Sequence, residues 1–341
     1  MSLLRVALVG CGIISEAHIR AYEKHKDRAR ITICCDVDEE KARQRADLIG
    51  DARVVTDYQA VLDDPEIDAV ELCTPHHLHA AATIAAARAG KHIMCQKPLT
   101  NTLEECDAMI AAAREANVVL YYGEMNRTTP AAVAARQAVE AGHIGQVVGV
   151  QATYSHWQGG DILSTDWRYT PQLAGGGQLI DGGIHWIDLM LHIGGPIESV
   201  HCFTTQFRPE LGGEDTATLS VRYRNGHLGT LFSSHAAAVW LPQANFVVFG
   251  TEGVLTMGGP KSALTLHRKG LQNDPEVLLA ERGDSFAVMT GHYLDTVLAG
   301  KPNPSPGEVG RENLQVVLAA YEAARLNRGV ALDEVEVGKA F

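Results

Sequence analysis

Four short segments carry the residue types best suited to chemistry. The first, Gly10-Cys11-Gly12-Ile13-Ile14-Ser15, follows an apolar strand-like run and opens a helix-like one, the context in which a glycine turn holds a dinucleotide pyrophosphate. Gly10 permits the tight turn, Gly12 lets the backbone approach the phosphates, and Ile13 and Ile14 begin the helix whose N–H groups face them. Ser15 replaces a third glycine and is small enough for close helix and strand packing. Asp36 follows the second strand-like run, where a carboxylate bonds ribose hydroxyls and repels a 2′-phosphate. NAD is therefore favoured over NADP, with Arg43 on the next helix pulling the other way.

The second and third segments, Thr74-Pro75-His76-His77-Leu78-His79 and Cys95-Gln96-Lys97-Pro98, each follow a strand-like run, at the edge where open α/β sheets bind ligands. Thr74, Pro75, His79, Gln96 and Lys97 are read as cofactor contacts, His79 because it falls one turn into a helix. Pro98 restricts Lys97 to an extended backbone and suits a cis bond. The fourth segment runs from Gly175 through Asp181, Gly183 and His185 to Asp188. A helix starting near Gly182 would make Asp181 its N-cap and set His185 about one turn in, so that acid and imidazole point together. Asp188 reads as a helix-surface acid or a partner for a neighbouring side chain. Trp167 and Arg168 offer an apolar wall and a bidentate donor to a substrate; Asn126, His156 and Trp157 are further substrate candidates.

These segments need a scaffold. Over residues 1–123, short Val/Ile-rich runs alternate with Ala-rich helical ones, the pattern of a parallel sheet with crossover helices. Strands are expected at Leu4–Val9, Ile31–Cys35, Arg53–Val55, Ala69–Cys73, His92–Cys95 and Val118–Tyr121, with helices such as Ala80–Ala89 and Leu103–Ala116 between them. Beyond about residue 145 the runs lengthen and alternate, as antiparallel strands do: Val147–His156, Ser199–Arg208, Thr216–Arg224, Leu228–His235 and Ala244–Phe249. A Gly-rich stretch, Gly160–Gly183, interrupts them. The expected organisation is a dinucleotide-binding Rossmann domain over 1–123 and an α+β substrate and oligomerisation domain over 124–341, its last helix near 308–327 able to pack back on the first.

Bulk composition narrows the partners. The 341 residues carry 29 Lys+Arg against 41 Asp+Glu, a net charge of −12, the wrong sign for a surface that must neutralise phosphates along a nucleic acid. No apolar run approaches the roughly 20 residues of a membrane span. The seven cysteines form no CxxC pair and fall in apolar runs, so buried free thiols, no metal site and a cytoplasmic setting are expected.

The glycine turn at Gly10, the Thr74-Pro75 turn with His79, the Lys97-Pro98 pair, Trp167-Arg168 and Asp181-x-Gly183-x-His185 occur in one order that resembles the Gfo/Idh/MocA family of sugar and inositol oxidoreductases, over nearly the whole chain. The resemblance implies a catalytic set of Lys97, Asp181 and His185 around the nicotinamide, an open and mainly antiparallel C-terminal sheet, and a homo-dimer or homo-tetramer. It implies hydride transfer between NAD and a secondary alcohol or ketone of a sugar, inositol or related polyol. His185 would take the alcohol proton, Asp181 would orient it, and Lys97 would donate to the reacting oxygen. Gln96 departs from the family's usual Glu-Lys-Pro and removes a carboxylate beside Lys97. Two rivals share these features: an enzyme whose NAD is oxidised and reduced within one cycle of elimination, hydrolysis or epimerisation, and a dinucleotide-sensing protein without turnover.

Overall fold

The computed structural model describes residues 3–159, 166–238, 244–258, 263–270, 274–281, 283–335 and 337. Residues 160–165 of the Gly-rich stretch thus lie outside the described residues. The chain divides into two compact units, one of residues 1–125 with 284–311 and one of residues 126–283 with 312–341.

The first unit opens with β1 (Leu4–Val9), α1 (Ser15–Glu23), β2 (Ala29–Cys35), α2 (Glu39–Ile49), β3 (Arg53–Val55) and α3 (Tyr58–Leu62). It continues through β4 (Ala69–Leu72), α4 (His79–Arg88), β5 (His92–Gln96), α5 (Leu103–Glu115) and β6 (Leu120–Gly123). The six strands form one parallel sheet in the order β3-β2-β1-β4-β5-β6, the doubly wound arrangement in which the strand order reverses beside β1. Helices cover both faces, so β1 and β4 are almost wholly buried and read as continuous apolar runs. Glu71 on β4 is the exception, a fully buried carboxylate. Every strand expected over 1–123 is present, with ends shifted by up to two residues.

The second unit supplies α6 (Pro130–Glu140), β7 (Val147–Ser155), α7 (Pro171–Ala174), α8 (Ile184–Gly194), β8 (Ile197–Thr205), β9 (Thr216–Tyr223) and β10 (Leu228–Ser234). Then come β11 (Phe246–Gly250), β12 (Gly253–Met257), β13 (Leu264–Arg268) and β14 (Glu276–Leu279). α9 (Ser285–Ala299) belongs to the first unit, where Arg28 pairs with Asp295 at 2.6 Å and Lys24 with Asp284 at 2.6 Å. α10 (Gly307–Leu326) and β15 (Val330–Ala331) complete the chain; residues of α10 up to 311 cluster with the first unit and those from 312 with the second.

The nine-stranded sheet runs β14-β13-β12-β11-β7-β10-β9-β8-β15. Burial alternates along β9, as it must when one face is packed and the other open. The expectation of antiparallel strands holds for every pairing in this sheet but one: β10 lies parallel to β7, with Leu228 opposite Gly149. A period of two reveals the face a residue occupies and carries no information about strand direction.

Candidate active site

The first unit brings the glycine turn, Asp36, Thr74 and Lys97 to the carboxyl ends of β1, β2, β4 and β5. Gly10 has φ of +90°, and a Cβ there would stand 2.6 Å from the Cys73 carbonyl carbon, so only glycine fits between the two turns. A Cβ on Gly12 would meet nothing within 4 Å, and Ile13 and Ile14 are exposed beside it. This is an open backbone cradle of the kind a pyrophosphate needs. Its geometry is fixed from behind: Ser15 Oγ donates to the Gly12 carbonyl at 2.5 Å, and Arg45 donates to Ser15 Oγ at 2.9 Å and to the Gly12 carbonyl at 3.3 Å. Arg45 had no distinguishing signal in the sequence, while Arg43 is engaged by Glu39 on its own helix.

Asp36 accepts from the Cys11 N–H at 2.7 Å and from the Asp38 N–H at 2.9 Å, which aims its half-buried carboxylate beside the glycine turn. Asp36→Ala is expected to weaken NAD+ binding about tenfold, the worth of a charge-assisted hydrogen bond, and to narrow the preference over NADP+. Titration calorimetry with both cofactors checks this; an unchanged ratio of affinities would remove Asp36 from the ribose.

Two expected cofactor contacts sit behind the surface. His79 is fully buried, with Nδ1 2.8 Å from the Pro98 carbonyl and Nε2 2.9 Å from the Thr74 carbonyl, and burial pushes its pKa below the ordinary value. Wedged between these two carbonyls, the neutral His79 ring donates its single N–H to one of them and holds the Thr74 turn against the Lys97-Pro98 turn, closed off from the surface. Gln96 is likewise buried and bonded inward to His18. The Lys97–Pro98 peptide is cis. From Ile93 to Asn101 every residue is buried except Lys97, which is half-buried.

In the second unit the acid and imidazole occupy one continuous helical run. Residues Leu179–Gly183 form a π-helical turn that leads directly into α8, so Asp181 lies inside the run and is not the N-cap expected of it. The cap function falls to Glu214, which accepts from the Gly177 and Leu179 N–H groups at 2.9 Å each and from the Tyr321 hydroxyl at 2.8 Å. Burial raises the Glu214 carboxyl above its ordinary pKa, against the pull of these donors. A Cβ on Gly177 would stand 2.1 Å from the Glu214 carbonyl oxygen, which accounts for one of the three consecutive glycines. Glu214 lies in a loop without periodicity, so no pattern marks it.

From Gln178 to Leu191 every residue is buried except Asp181 and His185, four residues apart and so on one face. Arg168 Nε stands 3.5 Å from Asp181 Oδ2, and the same guanidinium lies 4.3 Å over the Trp167 ring. Arg168 therefore serves the acid, whatever else it reaches. Tyr154, which the sequence reading passed over, packs against this turn: a Cβ on Gly182 would be 2.4 Å from its ring. His156 lies edge-on to Tyr154 and to His235, with ring centroids 4.9 Å away in each case. Trp157 is 53% exposed, its ring covered by the buried Arg208 guanidinium at 3.8 Å. Asn126 is half-buried, and its carbonyl accepts from Thr129.

Asp188, three residues past His185, is fully buried and accepts from Arg127 at 2.6 Å and Asn313 at 2.8 Å; it partners neighbouring side chains and is not a surface acid. Next to this group, His192 Nδ1 is 3.3 Å from Arg127 and 3.4 Å from Arg136. Burial first, then the two guanidinium charges, push its pKa down to about 3. Because the folded-state value is depressed, stability is complete above about pH 6.5 and is lost as pH falls toward 3, at about 1.4 kcal/mol per pH unit for this one proton. His192→Gln should flatten the slope of unfolding free energy against pH by that amount between pH 6 and 4, measured by urea titration; an unchanged slope would mean that the ring is already charged in the folded state.

Residues 4–124 match the oxidoreductase family described as having an NAD-binding Rossmann fold, and residues 132–256 match the GFO/IDH/MocA C-terminal domain. Levoglucosan dehydrogenase of Pseudarthrobacter phenanthrenivorans is 31% identical over 284 residues, spanning 74% of this chain and 73% of that protein. The 1,5-anhydro-D-fructose reductase of Ensifer adhaerens is 31% identical over 305 residues, spanning 85% of this chain and 86% of its own length. Among solved structures, levoglucosan dehydrogenase in complex with NADH and levoglucosan superposes with a TM-score of 0.86 at 25% identity, covering 98% of this chain and 100% of that one. With both of its domains matched and relatives similar over most of their length, the chain belongs to the Gfo/Idh/MocA family of oxidoreductases.

Proposed function

We propose that the chain transfers hydride between NAD and a secondary alcohol or ketone of a sugar, inositol or related polyol, with Lys97, Asp181 and His185 as its catalytic residues. One observation carries the residue assignment. In two otherwise fully buried segments, Ile93–Asn101 and Gln178–Leu191, these three side chains are the only ones left open. NAD, when bound, supplies the hydride acceptor or donor. His185 takes the hydroxyl proton in the oxidative direction, Asp181 orients the imidazole or the hydroxyl, and Lys97 donates to the reacting oxygen as charge develops on it. Gly10, Gly12, Ile13, Ile14, Asp36, Thr74 and Pro75 form the cofactor cradle. Trp167, Arg168, Trp157, His156 and Asn126 are proposed to line the substrate.

We also assign a homo-dimer or homo-tetramer and a cytoplasmic setting. Phe203, Phe207, Leu228, Phe232 and Phe249 are exposed on or beside strands of the nine-stranded sheet, an apolar group of the kind that marks an interface. All seven cysteines are free and buried, as in reducing compartments. No helix among the described residues is long and apolar enough to cross a membrane.

The test is absorbance at the reduced-nicotinamide band with NAD+ or NADP+ and a panel of levoglucosan, inositols, aldoses and ketoses. A signal with one polyol and NAD+ supports the assignment. Tight NAD binding with silence across the panel overturns it in favour of a closed redox cycle or a sensor.

A further inference from the structure

A chain of buried polar groups runs through the parallel sheet to the backbone of Lys97. The Tyr22 hydroxyl donates to Glu71 Oε2 at 2.8 Å, and Glu71 Oε1 faces His18 Nδ1 at 2.7 Å. His18 Nε2 is 2.6 Å from Gln96 Nε2, and Gln96 Oε1 accepts from the Lys97 N–H at 3.3 Å. His18 and Glu71 are fully buried, and Tyr22 and Gln96 nearly so. Removing a carboxylate from water costs several kcal/mol unless its partners compensate, and apolar residues would fill this sheet at no such cost. His18, Glu71 and Cys73 also place donor atoms within 4.8 Å of one another. The 2.7 Å between imidazole and carboxylate is nonetheless shorter than the about 3.3 Å implied by two zinc bonds of roughly 2.0 Å at a tetrahedral angle, so the two groups face each other directly with no room for a shared zinc ion.

We propose that Gln96 is a positioning residue for Lys97, its amide set by the buried Glu71–His18 pair. The inference rests on the assignment of Lys97 to catalysis. The logic is one of donors and acceptors. With the single ring proton on Nδ1, toward Glu71, Nε2 is an acceptor and takes the Gln96 amide N–H. The amide oxygen then points the other way and receives the Lys97 N–H. Placing a second proton on His18 makes Nε2 a donor, and the amide must turn its oxygen inward, leaving the Lys97 N–H without that acceptor. The groups that face His18 are Glu71 and Cys73 from β4, Gln96 from β5 and the Phe286 ring at 5.1 Å from α9, with Tyr22 and Tyr293 behind Glu71. Burial opposes the second proton, while Cys73 and Glu71 favour it and prevail. The turn of the amide is thereby moved above the pH at which an ordinary imidazole would drive it.

The experiment compares Gln96→Leu and Gln96→Glu in the full chain with NAD+, reading kcat against pH on the panel polyol that the wild type oxidises, alongside the affinity for NAD+. Gln96→Leu is expected to lower kcat ten- to thirtyfold with NAD+ affinity within threefold. Gln96→Glu should restore kcat to within threefold, because its two oxygens serve Lys97 and a protonated His18 together. It should also lose the acid limb expected of the wild type. Wild-type kcat in Gln96→Leu, a Gln96→Glu variant as slow as Gln96→Leu, or an acid limb unchanged in Gln96→Glu would each overturn the proposal. If Gln96→Leu fails to fold, the acid limb of Gln96→Glu decides alone. Full turnover in Lys97→Met would sink the catalytic assignment itself, whereas a dead Lys97→Met beside an unaffected Gln96→Leu sinks only the positioning.

Discussion

Replacing His185 by alanine should lower kcat about 10²- to 10⁴-fold, the range that a positioned acid or base contributes, while the affinity for NAD+ stays within threefold. The separation is expected because His185 lies in the first turn of α8 in the second unit, whereas the glycine turn, Asp36 and Thr74 all belong to the first. The fold should tolerate the change: His185 is only half-buried, and its neighbours Ile184, Trp186 and Ile187 hold the helix in place. Stopped-flow turnover and fluorescence titration of NADH on the same preparation check both halves. Equal loss of turnover and cofactor affinity would mean that His185 holds the cofactor and moves no proton.

Gly12→Val should give the opposite signature, a folded protein whose affinity for NAD+ has fallen by more than about 100-fold, or about 2.8 kcal/mol. A Cβ at this position meets no protein atom within 4 Å, so the thermal midpoint should move little. The branched side chain instead fills the space through which a pyrophosphate approaches the backbone. Gly10 cannot serve for this test, since any side chain there collides with the Cys73 backbone and would confuse folding with binding. Retained NAD+ affinity in folded Gly12→Val would place the cofactor elsewhere.

The elements that hold the site were readable where pattern and burial coincide. Parallel strands covered on both faces leave uninterrupted apolar runs, so β1, β2 and β4 could be found from composition, and glycine and acid fell at their carboxyl ends. What could not be read was set by contacts distant in sequence. Asp181 looked like a cap because a helix was expected to start at Gly182; the π-helical turn begins the run earlier, and Glu214, 35 residues from Leu179 in the chain, takes the N–H groups. His79 looked like a ligand contact because it stood one turn into a helix, yet the Pro98 and Thr74 carbonyls enclose it. The strands β12 to β14 have only four or five residues each, too few for a period to declare itself although each pairs with its neighbour in sequence, and α9 takes its partners Lys24 and Arg28 from far along the chain.

All seven thiols are buried, six of them at positions up to 106 in the first unit and Cys202 in the second. An alkylating reagent can reach such sulfurs only when the surrounding structure opens, so the chain carries its own set of timed seals. Following the mass of each modified peptide would clock the opening of the cofactor-bearing unit separately from that of the unit carrying His185, with no label added.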